Sequence, residues 1–190
     1  AKLLSQMANS AHYGIAGAEA RWSFAELMER VQRVVGEVAP HDSVERYTGL
    51  GVEVVQGTAK IVSPWEVDIT HQDGSCQRLS TRSIVIAAGA KPFVPPIPGL
   101  DEVSYYTSDT IWSLRELPPR LVVLGGGPIG CELAQTFARL GSQVTQVEMA
   151  DRLMMREDPE VSELVRQRFA ADGVTVALGH AAKSFSRENG

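Results

Sequence analysis

The residues of this chain whose types and spacing could do chemistry are three glycines and an acid. Gly125, Gly127 and Gly130 lie in the run Gly125-Gly126-Gly127-Pro128-Ile129-Gly130, and Glu148 follows roughly 20 residues later. A first glycine permits a tight turn, a second lets backbone approach a pyrophosphate, and a third lets a helix pack closely on a strand. The free N–H groups and positive dipole end of a helix that starts here favour an anion. A carboxylate at the position of Glu148 accepts hydrogen bonds from ribose hydroxyls and repels a 2′-phosphate. The pattern therefore reads as a dinucleotide site, whose acid suits a free ribose better than a 2′-phosphate. Arg152 is a cation within reach of a phosphate, but Glu148 keeps the balance toward an unphosphorylated ribose.

Such a site works only if regular elements hold it. The apolar run Leu121 to Leu124 predicts a strand entering the glycines, and a helical pattern follows to Leu140, where Gly141 stops it. Val144 to Val147 predict a second strand ending on Glu148. Arg152 to Glu157 read as a loop, with Asp158 as cap and Pro159 as first residue of another helix. In that helix Val161, Leu164, Val165 and Phe169 are expected to face inward. Gly173 ends it, and Val174 to Leu178 predict a third strand. From Leu121 onward the chain reads β-α-β-α-β.

Upstream, Lys2 to Ala11 predict a helix with Leu3, Leu4, Met7, Ala8 and Ala11 on one face. Ser23 and Glu26 form a capping box for a long helix that runs through Val38 and ends at Pro40. Asp42 and Glu45 are read as the cap pair of a short helix to Thr48. The period then changes. Val52 to Val55, Thr58 to Val62, Trp65 to Thr70 and Gln77 to Ser80 predict short strands, with a hairpin turn at Asp73-Gly74. Ser83 to Ala88 predict a strand buried on both faces. The proline-rich stretch from Pro92 to Pro98 reads as a stiff connection at a domain boundary, and Ser108 or Asp109 as the cap of a short helix to Leu114.

Composition is that of an ordinary α/β protein, 44% hydrophobic and 22% charged. A net charge of −5 with mixed signs and no basic stripe argues against a nucleic-acid partner. No apolar run approaches the roughly 20 residues of a membrane span. Cys76 and Cys131 show no redox-pair or metal spacing, and their pairing stays open. A reducing cytoplasm is the default reading. His12, His41, His71 and His180 are scattered, so no metal site is expected. The start at Ala1-Lys2, inside a helical pattern and without Met, gives the expectation of a piece of a longer protein.

These segments, in this order, resemble the central part of an FAD-dependent pyridine nucleotide-disulfide oxidoreductase. The resemblance covers nearly the whole chain. KLLSQMANSAHYGI resembles the helix that follows the redox cysteines, and FAELMERVQRVV the next long helix. GVEVVQGTAKIV resembles the strands beside the flavin's adenosine, and SIVIAAGAKPFVPPIPG the segment closing the FAD domain. GGGPIGCELAQTFARLGSQVTQVE resembles the second glycine motif of the family, the one that takes the nicotinamide dinucleotide.

The resemblance implies an α/β, Rossmann-like three-layer fold with a partial FAD domain, 1–103, and a partial NAD(P) domain, 104–190. It implies backbone contacts to FAD at Gly57, Thr58, Ala59, Ala87, Ala88 and Gly89, with Ala88 standing where Thr is usual. It places Glu132 near the nicotinamide. Gly125, Gly126, Gly127, Pro128, Ile129, Gly130 and Glu148 would hold NAD(H), which Glu148 favours over NADP. The FAD glycine motif, the CxxxxC pair and the catalytic His-Glu pair of the family have no counterpart in the chain. The implied parent is a homodimeric flavoenzyme that passes hydride from nicotinamide to flavin and on to a disulfide or metal acceptor. The alternatives are a non-catalytic nucleotide-binding piece or a flavin reductase without a redox disulfide.

Overall fold

The structure is a computed structural model that describes residues 1–187. Its described residues divide into two compact units: 1–31 with 92–187, and 32–91. The helix α2, Phe24–Val38, runs from the first into the second.

The first unit is built on a parallel sheet. Strands β4 (Arg120–Leu124), β5 (Gln143–Glu148) and β6 (Thr175–Leu178) lie in the order β4-β5-β6. Leu121 pairs with Val144, Val123 with Gln146, and Glu148 with Leu178. Helices α4 (Pro128–Leu140) and α5 (Pro159–Ala171) connect them. The predicted β-α-β-α-β order is therefore the observed one, with each stop where a glycine allows it. Gly141 ends α4 at φ +109, and its amide bonds back to Ala138. Asp158 occupies the N-cap position of α5, but its side chain makes no cap bond.

Residues Phe24, Cys131, Ala134, Phe137, Val144 and Phe169 form the middle of one buried cluster. The Phe24 and Phe137 rings lie 6.2 Å apart at 47°, a tilted pair favoured by ring quadrupoles. Alternation along β4 turns Leu121 and Val123 toward this core and leaves Val122 and Leu124 exposed on the opposite face. In α5 only Phe169 and part of Val165 go inward; Val161 and Leu164 are exposed, because Ser162 takes the buried place on the first turn. Helix α1 (Lys2–Ala8) is shorter than expected and is followed by a 3-10 turn, Ser10–Tyr13. Leu4 packs on the core, while Leu3, Ala8 and Ala11 are exposed.

Ser23 caps α2 as predicted, its Oγ accepting the Glu26 amide at 3.4 Å. The cap of α3 (Val44–Gly49) is Ser43 rather than Asp42: its Oγ accepts the Arg46 amide at 3.2 Å. The helix expected after Ser108 is a 3-10 turn, Ile111–Ser113, organised by Thr107 and Thr110.

The second unit holds an antiparallel meander, β1 (Thr58–Ser63), β2 (Glu66–Thr70) and β3 (Cys76–Ser80). Gly74, at φ +83, makes the hairpin turn, and Asp73 accepts the Ser75 amide. Across β2 and β3, Arg78 grips the directly opposed Asp68 with two bonds, 2.6 and 2.9 Å. Two predicted strands are absent. Residues 52–55 and 83–88 have no regular structure, and Val85 and Ile86 are 88% and 77% exposed. Apolar runs of this kind make a strand only when another strand offers its N–H and C=O groups, and among the described residues none pairs with them.

Candidate functional site

The glycine turn between β4 and α4 is shaped by a different demand at each position. Gly125 continues the ladder, its amide donating to Val147 O at 2.8 Å. It then turns at φ +103, a conformation that strains any side-chain-bearing residue. Gly126 is buried: a Cβ there would lie 2.8 Å from Leu153 Cδ2 and 3.0 Å from Glu148 Cγ. Gly127 has an ordinary extended backbone, φ −76 and ψ 177, and a Cβ on it would meet nothing within 4 Å. It is the N-cap of α4, with Pro128 as first helical residue. At Gly130 a Cβ would sit 2.3 Å from Gly125 O, so helix and turn could not approach as they do.

Glu148 reaches back from the end of β5 to this turn. Its Oε2 accepts the Gly126 amide, and its Oε1 accepts the Ala150 amide at 2.7 Å. The predicted ribose acceptor is thus brought against the glycines, and it braces them as well. Above it, Met154 closes the turn from the loop before α5. Met154 sits at φ +53 and donates its amide to Gly126 O at 2.7 Å. Holding a Met in that region costs about 1–2 kcal/mol, which its amide bond and partial burial against the core offset. Arg152 is committed to its own loop: Nη2 donates to Met155 O at 3.1 Å.

Gln146 and Cys131 complete the site from beneath. Gln146 is 0% exposed, and its Nε2 donates to Gly125 O at 2.8 Å. Its Oε1 is buried with no partner among the described residues, an arrangement that costs about 1–3 kcal/mol. Cys131 donates through Sγ to Gly126 O at 3.4 Å. Burial pushes its thiol above the ordinary range, while the Gln146 bond pulls the other way. Neither cysteine is paired: Cys131 is buried and Cys76 exposed.

Sequence reasoning missed Gln146, Leu153 and Met154. One signal was present. Val144 faces the core, and the two-residue period of a strand puts Gln146 on that same face.

The open side of the turn is lined by exposed Gly125, Gly127, Pro128 and Ile129 at the amino end of α4. Glu132 is exposed on α4, just past its first turn, and borders a groove of about 350 Å³ between α4 and α5, with Met154, Leu164 and Arg168. Nothing blocks the close approach of a pyrophosphate at Gly127, so the residues present fit the dinucleotide expected of them.

The residues expected to touch FAD lie in the second unit. Gly57 precedes β1, and a Cβ there would meet Ile69 Cγ2 and Thr70 O at 2.7 Å. Thr58 and Ala59 pair with Thr70 and Ile69. An open groove of about 840 Å³ runs beside Gln56, Gly57, Thr58 and His71. His71 Nδ1 lies 3.1 Å from Gln56 O. Ala87, Ala88 and Gly89 are exposed and outside any strand.

A parallel sheet entered through a glycine turn, with helices as crossovers, is a Rossmann-like α/β fold. The chain belongs to the pyridine nucleotide-disulphide oxidoreductase family, whose pattern matches residues 6–190. It is 38% identical over 167 residues to a mercuric reductase of Streptomyces lividans, covering 86% of this chain and 34% of that one. It is 36% identical over 181 residues to a dihydrolipoyl dehydrogenase of Bacillus subtilis strain 168, covering 93% and 38%. Among solved structures, it superimposes on the HOCl-induced flavoprotein disulfide reductase RclA of Escherichia coli, in a Cu(II) complex of its C43S mutant. The TM-score is 0.75 at 26% identity, over 98% of this chain and 41% of that one. The chain thus spans little more than a third of the length of these curated relatives. The family uses FAD and a nicotinamide dinucleotide. No helix among the described residues is long and apolar enough to cross a membrane.

Proposed function

We propose that residues 104–190 carry the nicotinamide-dinucleotide site of a flavin-dependent oxidoreductase, and residues 1–103 part of its FAD domain. The observation that supports this most directly is the contrast within the turn. Gly125, Gly126 and Gly130 are required by backbone conformation or packing, whereas Gly127 faces open space at the amino end of α4. A glycine that the fold does not need is explained by a ligand that comes close. The N–H groups of the first turn of α4 would hold the pyrophosphate. Glu148 would accept from the adenosine ribose and disfavour a 2′-phosphate, selecting NAD(H) over NADP. Glu132 would lie on the nicotinamide side. Gly57, Thr58, Ala59, Ala87, Ala88 and Gly89 would face the flavin cofactor through their backbone.

When bound, the nicotinamide supplies a hydride for the flavin, whose electrons then go to a disulfide or a metal-ion acceptor. By its name the mercuric reductase relative acts on a metal ion and the dihydrolipoyl dehydrogenase relative on a dithiol, the reduced form of a disulfide. The partners of these residues would be the rest of their own chain and a second copy of it, in the cytoplasm. A second reading, nucleotide binding without catalysis by these 190 residues alone, is favoured by the exposure of Ala87 to Gly89 outside any strand. Calorimetric titration tests the proposal: NAD⁺ should bind more tightly than NADP⁺, and absence of binding by either would sink it.

A further inference from the structure

The buried side of the glycine turn is polar where an apolar core would serve packing equally well. Gln146 Nε2 donates to Gly125 O at 2.8 Å and lies 3.6 Å from Cys131 Sγ. Cys131 Sγ in turn donates to Gly126 O at 3.4 Å, and the Met154 amide reaches the same oxygen at 2.7 Å. A carboxamide nitrogen has two hydrogens, and here both have acceptors. Two successive glycine carbonyls are thereby held from inside the core.

The chain has no cis peptide bond among the described residues, and in a trans peptide the C=O and the following N–H point in opposite directions. Holding Gly125 O inward turns the Gly126 N–H outward, where Glu148 takes it. Holding Gly126 O inward likewise turns the Gly127 N–H away from the core, at the residue with open space around it. Gly130 belongs to the same arrangement. A Cβ there would lie 2.3 Å from Gly125 O and 3.3 Å from Gln146 Nε2, so this glycine leaves room for the Gln146–Gly125 bond. Gln146 Oε1 is buried and has no partner among the described residues, so the bonds of this side chain are those its Nε2 makes to the turn and to Cys131.

We infer that Gln146 and Cys131 are positioning residues, which fix the Gly125 and Gly126 peptide planes so that the Gly127 N–H is preset toward the pyrophosphate of a dinucleotide. This rests on the reading of the turn as a dinucleotide site. A preset donor binds an anion without first being ordered, so loosening it weakens binding without unfolding the domain.

The test uses the intact protein, with ADP-ribose as the probe because it carries the pyrophosphate. Gln146→Leu removes both the donor and the orphaned acceptor at similar volume, and Cys131→Ala removes the second donor. The Kd for ADP-ribose should rise about tenfold in Gln146→Leu while its thermal midpoint stays level or rises. The Gly127 amide resonance should move in both variants, and that of Ile69, on β2 of the second unit, should not. The double variant should bind less weakly than the product of the two single effects implies, because both act on one pair of peptides. Should Gln146→Leu not fold, Cys131→Ala and Gln146→Met carry the same comparison. A wild type that binds ADP-ribose beside variants that bind it equally, with Gly127 unmoved, overturns the inference alone. A wild type that does not bind it overturns the dinucleotide reading and this inference together.

Discussion

The Glu148 carboxylate accepts the amide hydrogen of Gly126, tying the end of β5 to the middle of the glycine turn. Its second oxygen takes the Ala150 amide at 2.7 Å. Each carboxylate oxygen has a further lone pair, so bracing the turn leaves capacity for a ribose hydroxyl. If the turn holds NAD(H) as proposed, turn shape and cofactor choice depend on one side chain, and a substitution there changes both unless it is chosen to separate them.

Glu148→Ala leaves two amides without their acceptor and should lower stability to denaturant by about 1–3 kcal/mol. It should also bring the NAD⁺ and NADP⁺ affinities together. Glu148→Gln keeps one carboxamide oxygen as acceptor, so its stability loss should be smaller. It nevertheless removes the charge that repels a 2′-phosphate, and the affinity ratio should narrow as much as in the alanine variant. A wild-type ratio in Glu148→Gln, read by calorimetry, would show that charge is not the selector.

Gly127→Ala and Gly130→Ala should behave in opposite ways. At Gly127 the backbone suits any residue and a Cβ has free space, so stability should change by less than about 1 kcal/mol, and a gain is possible from the stiffer unfolded chain. Dinucleotide affinity should still fall tenfold or more, because the methyl group would fill the space proposed for the pyrophosphate. At Gly130 the methyl meets a backbone oxygen that cannot swing aside, and the cost should reach about 1–3 kcal/mol of overpacking. Thermal unfolding read beside titration separates the two. Equal loss of stability in both variants would refute the assignment of their roles.

What the chain made legible follows from how local each feature is. The β4-α4-β5-α5-β6 order rests on short-range patterns ended by Gly141 and Gly173, and it is found as read. Residues 83–88 are as apolar as a core strand, yet a strand is a relation between two segments, and nothing in Ile84 or Val85 names the other one. The cap of α3 moved from Asp42 to Ser43 because one residue decides which oxygen reaches the Arg46 amide. Glu148 was legible as an acid ending the second strand, but its bond to Gly126 was not. Gln146 looked like a polar interruption of an apolar strand, although its parity with Val144 marks it as buried.

The two thiols should separate by reaction rate. Cys76 is exposed and Cys131 buried with its thiol raised by desolvation, so a thiol reagent on native protein should modify one site per chain and reach two only after unfolding. The sign of the pH effect follows. A thiol whose folded value is raised ionises more easily in the unfolded state, so stability falls as pH climbs above about 8.5. Cys131→Ala should flatten that fall, and an unchanged alkaline slope would show that Cys131 does not cause it.

At the far end of α4, Asp172 gathers cations and an amide from two helices. Its Oδ2 accepts from Arg139 Nη2 and Gln135 Nε2, each at 2.8 Å, and lies 3.4 Å from Arg168 Nε. The Asp172 and Arg139 side chains are 6% and 17% exposed, so this pair lies well below the surface. Removing the acid leaves the Arg139 charge poorly solvated, and Asp172→Ala should cost somewhat under the ~3–5 kcal/mol typical of a fully buried pair. Arg168 is 53% exposed, and Arg168→Ala should cost no more than about 1 kcal/mol. High salt should not rescue Asp172→Ala, because a pair shielded from solvent is little screened. Along α4, Gln135 and Arg139 lie roughly 12 and 18 Å beyond Gly127, so Asp172→Asn should lower the unfolding midpoint while leaving the Kd for NAD⁺ unchanged. A matching loss of affinity would mean that the α4–α5 contact shapes the turn from a distance and that the Glu148, Gln146 and Met154 bonds are not sufficient to hold it.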